Sequence, residues 1–490
     1  GMGAWGQGKM TTHQQKKLDD EALTSFRDRF ALPLSDEDVI NLKLYKPADD
    51  SSEMKYLHAR RKALGGYIPK RNNTAPALPA PNHAAFANYL EGSKGREKST
   101  TMSFVQILSQ LLRDPVLGKQ IVPIVADEAR TFGMQSLFRQ VAIYSSVGQL
   151  YEPEDKDELL YYKEAKDGQI LEEGISEAGA ISSWIAAATS YSAHGVPMLP
   201  FYIFYSIFGF QRVGDLIWTA ADSRSRGFLL GATAGRTTLS GEGLQHEDGT
   251  SHLIASTVPT CRAYDPCFQH ELALIVQDGI ERMVAKQEDV FYYVTVMNEN
   301  YAHPEMPVGC EEGVLRGMYR LRGTGAGGVQ LLGAGTILRE VLAAADLLQA
   351  DWGIAADVWS VTSFTELRRD GMETERRNRL HPLDPTKQSW IETQLSKTTG
   401  PIIAANDYVR AVPDLIRTWV PRRYVTLGTD GFGRSDTRRN LRAFFEVDAK
   451  SIVVATLKAL SDEGTIEASI VDDAIGRYAI AAGTPGSWER

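Results

Sequence analysis

The segment GRTTLSGEGLQHEDGTSH, Gly235 to His252, gathers two histidines, three acids and four glycines into eighteen residues. Three kinds of chemistry could use such a mixture: a metal site, a phosphate cradle, or the wall of an active site. His246 and His252 enclose Glu247 and Asp248, but the spacing is neither HExxH nor a zinc pattern, which disfavours a metal. Polar glycine-rich loops are where sites are built; the plain alternative is a surface turn with solvated histidines. Asp127 and Glu128 close the apolar run IVPIVADEA. Paired carboxylates there could do acid–base work or hold a cation such as Arg130, or simply sit at a helix N-terminus. Glu177 lies in GISEAGA among small and apolar residues. A carboxyl in such surroundings is costly unless paired, so it caps a helix or handles a proton. Tyr202, Tyr205, Phe208 and Phe210 cluster at the end of PFYIFYSIFGF, as core or as a stacking wall for a flat heterocycle.

These residues need elements to hold them. Ile121 to Ala129 reads as a buried parallel strand with its functional end at the carboxyl side. Gly174 to Gly195 reads as a small-residue helix, and Pro197 to Phe210 as a buried strand leading into a helix. HLIASTVPTCRAYDP and VFYYVTVMNENY supply further strands. The alternation predicts an α/β fold with a mainly parallel sheet flanked by helices on both faces. A boundary is expected in Arg320 to Thr336, followed by a second α/β pattern: VQLLGAG strand, TILREVLAAADLLQA helix, AADVWSVTS strand. The opening segment is polar and helical, with Leu18, Leu23, Phe26 and Phe30 on one stripe and a capping box at Ser35 to Asp38. A Pro/Ala-rich connector follows at Asn72 to Asn82.

Bulk composition excludes several classes. The 490 residues carry 53 Lys and Arg against 62 Asp and Glu, a net of −9, which argues against nucleic acid and anionic membranes. Three cysteines, none in a CxxC pair, make no disulfide framework or structural zinc and fit a reducing cytoplasm. The most apolar run, Pro197 to Phe210, is too short to span a bilayer. Gly323 to Gly328 matches GxGxxG but precedes a strand, so it reads as an interdomain turn rather than a dinucleotide fingerprint. No GxSxG, kinase or P-loop pattern appears.

Longer blocks carry a resemblance. IVADEARTFGMQSLFRQ, GQILEEGISEAGA, PFYIFYSIFGFQRVGDL, GRTTLSGEGLQHEDGTSH, MNENYAHPEMP, SVTSFTELRRDG and LGTDGFGRSDTR, in this order, resemble the homodimeric type of pyruvate dehydrogenase component, over about His13 to Asp473. The resemblance implies a transketolase-like fold: a helical segment and linker over 1–75, a thiamine-diphosphate-binding pyrimidine domain over roughly 76–315, then a transketolase C-terminal-like domain over roughly 316–490 that supports dimerisation. It implies that Glu177 hydrogen-bonds a pyrimidine nitrogen of thiamine diphosphate and favours the imino tautomer, whose nitrogen removes the thiazolium proton. It places Phe208 against the pyrimidine, with Tyr205, Glu128, Asp127 and Arg212 lining the same pocket. His246 becomes a substrate-side histidine that could hydrogen-bond a developing oxyanion, and His252 is left as structural. His13 and Lys16 match a mobile loop over the entrance, whose histidine helps pass the acetyl group to a lipoyl arm. A second mobile loop is expected near Gly148 to Tyr162.

One family motif is absent from these residues: GDG followed some thirty positions later by an asparagine, which holds the diphosphate and Mg²⁺. The Mg²⁺ ligands are therefore expected outside this chain, on an N-terminal domain removed by truncation, by a misplaced start, or by a split gene. Gly1 before Met2 looks like a tag remnant. The implied reaction is oxidative decarboxylation of pyruvate with reductive acetylation of lipoyl groups. The implied partners are a second copy of the chain, the dihydrolipoyl acetyltransferase, and a separate chain carrying the diphosphate domain. The isolated chain is expected to bind cofactor poorly. Rival readings are a 2-oxo acid dehydrogenase with another acyl substrate, a non-catalytic assembly module, and, on GTGAGG alone, a nicotinamide-dependent oxidoreductase.

Overall fold

The computed structural model describes residues 6–67, 75–126, 129–154 and 162–490. The chain divides into two compact units, Gly1–Arg71 and Asn72–Arg490. The first unit holds helices α1 (Asp20–Arg29), α2 (Asp36–Ile40) and α3 (Ser52–Ala63). Each starts where a short polar side chain accepts a hydrogen bond from a backbone N–H of the first turn: Asp19 from Ala22, Ser35 from Asp38, Ser51 from Met54. The stripe on α1 brings the Phe26 and Phe30 rings to 4.7 Å, although Leu18 and Phe30 remain exposed.

The second unit contains two sheets. The first has six strands: β1 (Ile121–Val125), β2 (Leu171–Glu172), β3 (Leu199–Tyr205), β4 (Phe228–Ala232), β5 (Cys261–Tyr264) and β6 (Phe291–Thr295). They lie in the order β2-β1-β3-β4-β6-β5, and every pairing is parallel. An all-parallel sheet must be covered on both faces, so its strands are apolar on both sides. β3 shows this directly. Phe201 and Ile203 pack into one core with helices α4 (Thr100–Leu111) and α7 (Gln269–Ile280). Tyr202 and Phe204 pack into the opposite core with α5 (Glu177–Ala188) and α6 (Phe210–Asp222). The buried Trp184 of α5 donates its indole N–H to the Phe228 carbonyl at 3.0 Å, tying that helix to β4. The segment HLIASTVPTCRAYDP is a strand only over Cys261–Tyr264. Ser251–Ala255 forms a short helix instead, at whose start Asp248 Oδ1 accepts from the Thr250 and Ser251 N–H groups at 2.9 and 3.0 Å.

The second sheet has five strands: β7 (Met318–Arg322), β8 (Val329–Gly333), β9 (Ala356–Val361), β10 (Ile402–Ala405) and β11 (Tyr424–Leu427). Their order is β7-β9-β8-β10-β11, with β7 antiparallel at one edge and the rest parallel. Two helices, Ile337–Trp352 and Ala449–Asp462, share a core on one face. This sheet corrects the reading of GTGAGG. Gly323 to Gly328 joins β7 to β8 within one sheet and is not an interdomain turn. The preceding edge strand, MYRLR, is polar enough to escape a search for apolar runs. The loop closes on Asp357, whose carboxylate accepts from the N–H groups of Gly325 and Gly327, both at 2.9 Å. A Cβ at Gly323 would collide with the same carboxylate, so glycine is required there. With its amides turned to a side-chain anion, the loop does not present the cradle of a dinucleotide site. No described helix is long and apolar enough to cross a membrane.

Candidate active site

Two strands end and two helices begin beside one another at the carboxyl edge of the first sheet. Helix α5 begins with Glu177, because Ser176 caps it by accepting from the Gly179 N–H at 3.1 Å. Strand β3 ends at Tyr205 and continues through the 3₁₀ turn Ser206–Phe208 into α6, whose first turn carries Arg212. The chain after β4 returns through the 3₁₀ turn Leu244–His246.

The side chains form a connected wall. Glu177, 8% exposed, accepts at Oε1 from Arg212 Nη1 at 2.7 Å. The same guanidinium lies 3.9 Å from the centroid of the Phe208 ring, a cation–π contact. His246 meets Phe208 edge-on at 5.7 Å and stacks on Tyr205 at 4.7 Å with 12° between planes. Phe132 closes the back of Tyr205, 5.5 Å between ring centroids. His246 Nδ1 faces Glu242 Oε2 at 3.3 Å, one turn back in the same loop. Pairing with Arg212 offsets the cost of burying the Glu177 carboxyl, and it leaves Oε2 for another group.

Of the residues singled out in the sequence, Glu177, Tyr205, Phe208, Arg212 and His246 meet here. Tyr202 and Phe210 do not join the wall but are core, in the cluster that also buries Trp184. Asp127 and Glu128 lie outside the described residues, as does part of the expected second loop, 155–161. His13 and Lys16 are exposed in the stretch before α1, within the first unit. Among the described residues, no group of three His, Cys, Asp or Glu side chains is placed to hold a metal ion.

The comparisons with known proteins bear on this wall and the sheet behind it. Residues 77–304 match the model of the pyruvate dehydrogenase E1 component middle domain, and residues 317–448 that of the transketolase-like C-terminal domain. The chain is 59% identical over 479 residues to the pyruvate dehydrogenase E1 component of Pseudomonas aeruginosa, covering 97% of this chain and 54% of that one. It is 56% identical to the corresponding protein of Cupriavidus necator, covering 99% of this chain and 55% of that one. The chain belongs to the pyruvate dehydrogenase E1 family. It spans about half the length of the curated relatives it matches. In fold it is similar to the transketolase of Campylobacter jejuni, with a TM-score of 0.59 at 15% identity, over 90% of this chain and 59% of that one.

Within this E1-family chain, Gly235 to His252 does more than face the wall. Glu242 and His246 point to the site, while most of the remaining polar side chains are buried against the second sheet. Asp407 Oδ1 accepts from the N–H and hydroxyl of Thr237 at 2.8 and 2.7 Å, and Oδ2 from the Thr238 hydroxyl at 2.7 Å. Arg236 donates to the Thr429 carbonyl. Glu247, 2% exposed, accepts at Oε2 from the Arg434 N–H at 2.6 Å, and burial lifts its carboxyl to about 8. His252 is fully buried against Thr295 at 2.8 Å, and burial pushes it down to about 3. Thr295 in turn bonds Asp265 at 2.6 Å, whose carboxyl burial raises to about 7. The loop is thus both wall and clamp between the two sheets. Glu242 was legible as an acid four residues before His246, a helix-like spacing. Asp407, Thr429 and Arg434 lie more than 150 residues away in sequence, and no local pattern points to them.

Proposed function

We propose that these residues serve thiamine-diphosphate-dependent oxidative decarboxylation of pyruvate, with reductive acetylation of lipoyl groups on a dihydrolipoyl acetyltransferase. The activity belongs to the whole protein, of which this chain would supply the pyrimidine-facing wall and the C-terminal domain. The observation that carries the reading is the connected set Glu177, Arg212, Phe208, His246 and Tyr205.

The set fits the aminopyrimidine of that cofactor in its donor chemistry. Glu177 presents a carboxylate oxygen beside a half-buried aromatic ring, the pairing a flat heterocycle with a basic nitrogen needs. When bound, thiamine diphosphate would supply a carbon nucleophile for the keto carbon and an electron sink for loss of carbon dioxide. Glu177 would share a proton with the pyrimidine nitrogen, and Arg212 would hold the carboxyl in place. Phe208 would stack on the ring. Glu242 would fix His246, whose Nε2–H could then hydrogen-bond oxygen charge developing on the substrate. Asp127 and Glu128 would complete the pocket, and His13 would act in acetyl transfer. Mg²⁺ and the diphosphate would be held by residues beyond this set, and the chain alone would be inactive. A second copy of the chain is the expected partner in a dimer.

The test is calorimetric titration of this chain with thiamine diphosphate and Mg²⁺, then an assay of pyruvate-dependent carbon dioxide release with and without a polypeptide carrying the GDG motif. The reading expects weak binding alone and activity on mixing, abolished by Glu177→Gln. Acetyl transfer by this chain alone would refute the half-site assignment. Preference for 2-oxobutyrate or 2-oxoglutarate over pyruvate would refute the substrate.

A further inference from the structure

We propose that a cavity beside the short helix Arg438–Phe444 binds a small phosphorylated molecule. The cavity measures about 840 Å³, within the size range of ligand sites. Its charged lining is unevenly matched. Arg442, 5% exposed, gives its Nη atoms to Glu299 and Glu340, at 3.1 Å for the second, while its Nε is buried with no hydrogen-bond partner. Glu299 is also engaged by Arg339 at 2.6 Å, so it is shared between two guanidiniums already. Glu340 additionally accepts from the Ala449 N–H at 3.0 Å, and Asp448 caps its helix by accepting from the Ser451 N–H at 2.9 Å.

Four cations are left over: Arg438, Arg439, Lys450 and Arg490, the last donating to the Phe444 carbonyl at 3.3 Å, with its Nε buried and unpartnered among the described residues. Arg438 is half-buried, donates through Nε to the Thr238 carbonyl, and forms no ion pair among the described residues. Burial lowers its pKa, Glu299 attracts it without a hydrogen bond, and its neighbours Arg442 and Arg339 repel it. Arg439 and Lys450, also on the lining, form no ion pair among the described residues either. The acidic side chain on the lining without a hydrogen bond or ion pair among the described residues is the exposed Glu446.

A half-buried guanidinium with no carboxylate in hydrogen-bond contact is costly. The lining carries five cations against four acids, in a chain whose net charge is −9. A phosphate group is tetrahedral, and two of its oxygens can accept side by side from one planar guanidinium while the others accept from a second, so it would satisfy Arg438 and Arg439 together. The lining also includes the apolar side chains of Leu347, Ala443 and Ile480, which would take an organic portion of the ligand.

The experiment is calorimetric titration of the chain with inorganic phosphate, pyrophosphate and ATP at fixed ionic strength, with chloride as the control anion. It is run on the parent chain, on Arg439→Ala and on Arg438→Ala, with circular dichroism to verify the fold. The expected result is saturable binding of at least one of the three anions, weakened at least ten-fold in both variants. Equal affinity for phosphate and ATP would assign recognition to the phosphate alone and still support the site. Arg439 is exposed, so its variant carries the comparison if Arg438→Ala does not fold. No binding of any anion, binding equally reproduced by chloride, or affinity unchanged in Arg439→Ala would overturn the proposal. Arg439 is not part of the Glu177–His246 wall, so these outcomes are separable from failure of the proposed function.

Discussion

Glu247 offers the sharpest test of the clamp. Its carboxyl is 2% exposed, fixed to the Arg434 N–H at 2.6 Å, and raised by burial from 4.5 to about 8. Asp407 pushes in the same direction, while the Arg434 N–H and Arg236 oppose it. Between those two pKa values the folded chain keeps a proton that the unfolded chain has released. Raising the pH through that range therefore favours unfolding. Asp265, raised to about 7, adds the same sign at the lower end. His252 and His303, depressed to about 3 and about 4, act with the opposite sign, and only below the ordinary histidine value of 6.5. Asp407 and Asp278 are raised as well, so between pH 7 and pH 8 the Glu247 contribution is read as a difference from a variant that lacks it. At about 1.4 kcal/mol per pH unit, that contribution is at most about 1.4 kcal/mol. For a unit the size of Asn72–Arg490 this corresponds to a fall in Tm of about 1–2 °C. Glu247→Gln keeps the shape and has no proton to lose. Scanning calorimetry at pH 7 and pH 8 should show the parent losing more Tm than the variant by that amount, since groups common to both cancel. Equal losses in the two proteins would refute a protonated Glu247 in the clamp.

Two further perturbations address the wall and the clamp separately. Arg212→Ala leaves the Glu177 carboxyl without its partner and removes the cation from Phe208; because Arg212 is half exposed, the expected loss is about 1 kcal/mol, read as a lower denaturant midpoint, and an unchanged midpoint would mean the pair contributes nothing. Asp407→Ala strips three buried donors of their acceptor and should cost about 3–5 kcal/mol, with limited proteolysis opening the Gly235–His252 segment; resistance equal to the parent's would show that the segment is held by other contacts.

Much of this protein could be read from local sequence. The run LPFYIFY is apolar on both of its faces, which only a strand covered on both sides can use, and β3 is that strand. Ser176 before Glu177, and Ser35 before Asp38, mark helix starts because a short polar side chain satisfies a first-turn N–H wherever it occurs. Those signals are short-range, and so they survive in the sequence. The edge strand Met318–Arg322 was hidden, because an edge tolerates polar residues and loses the apolar signature.

What tertiary structure alone decided is the company each polar side chain keeps. Glu177 in GISEAGA was a cap or a proton carrier by sequence; the structure pairs it with Arg212, and Arg212 with Phe208. Within GLQHEDG, His246 faces the wall while its neighbour Glu247 is sealed against Arg434. Residues one apart, both polar, went to opposite sides of a loop. Their fates depend on Phe208, Tyr205, Asp407 and Arg434, which packing of the two sheets brings to them. A burial cost is set by distant partners, and sequence spacing carries no record of them.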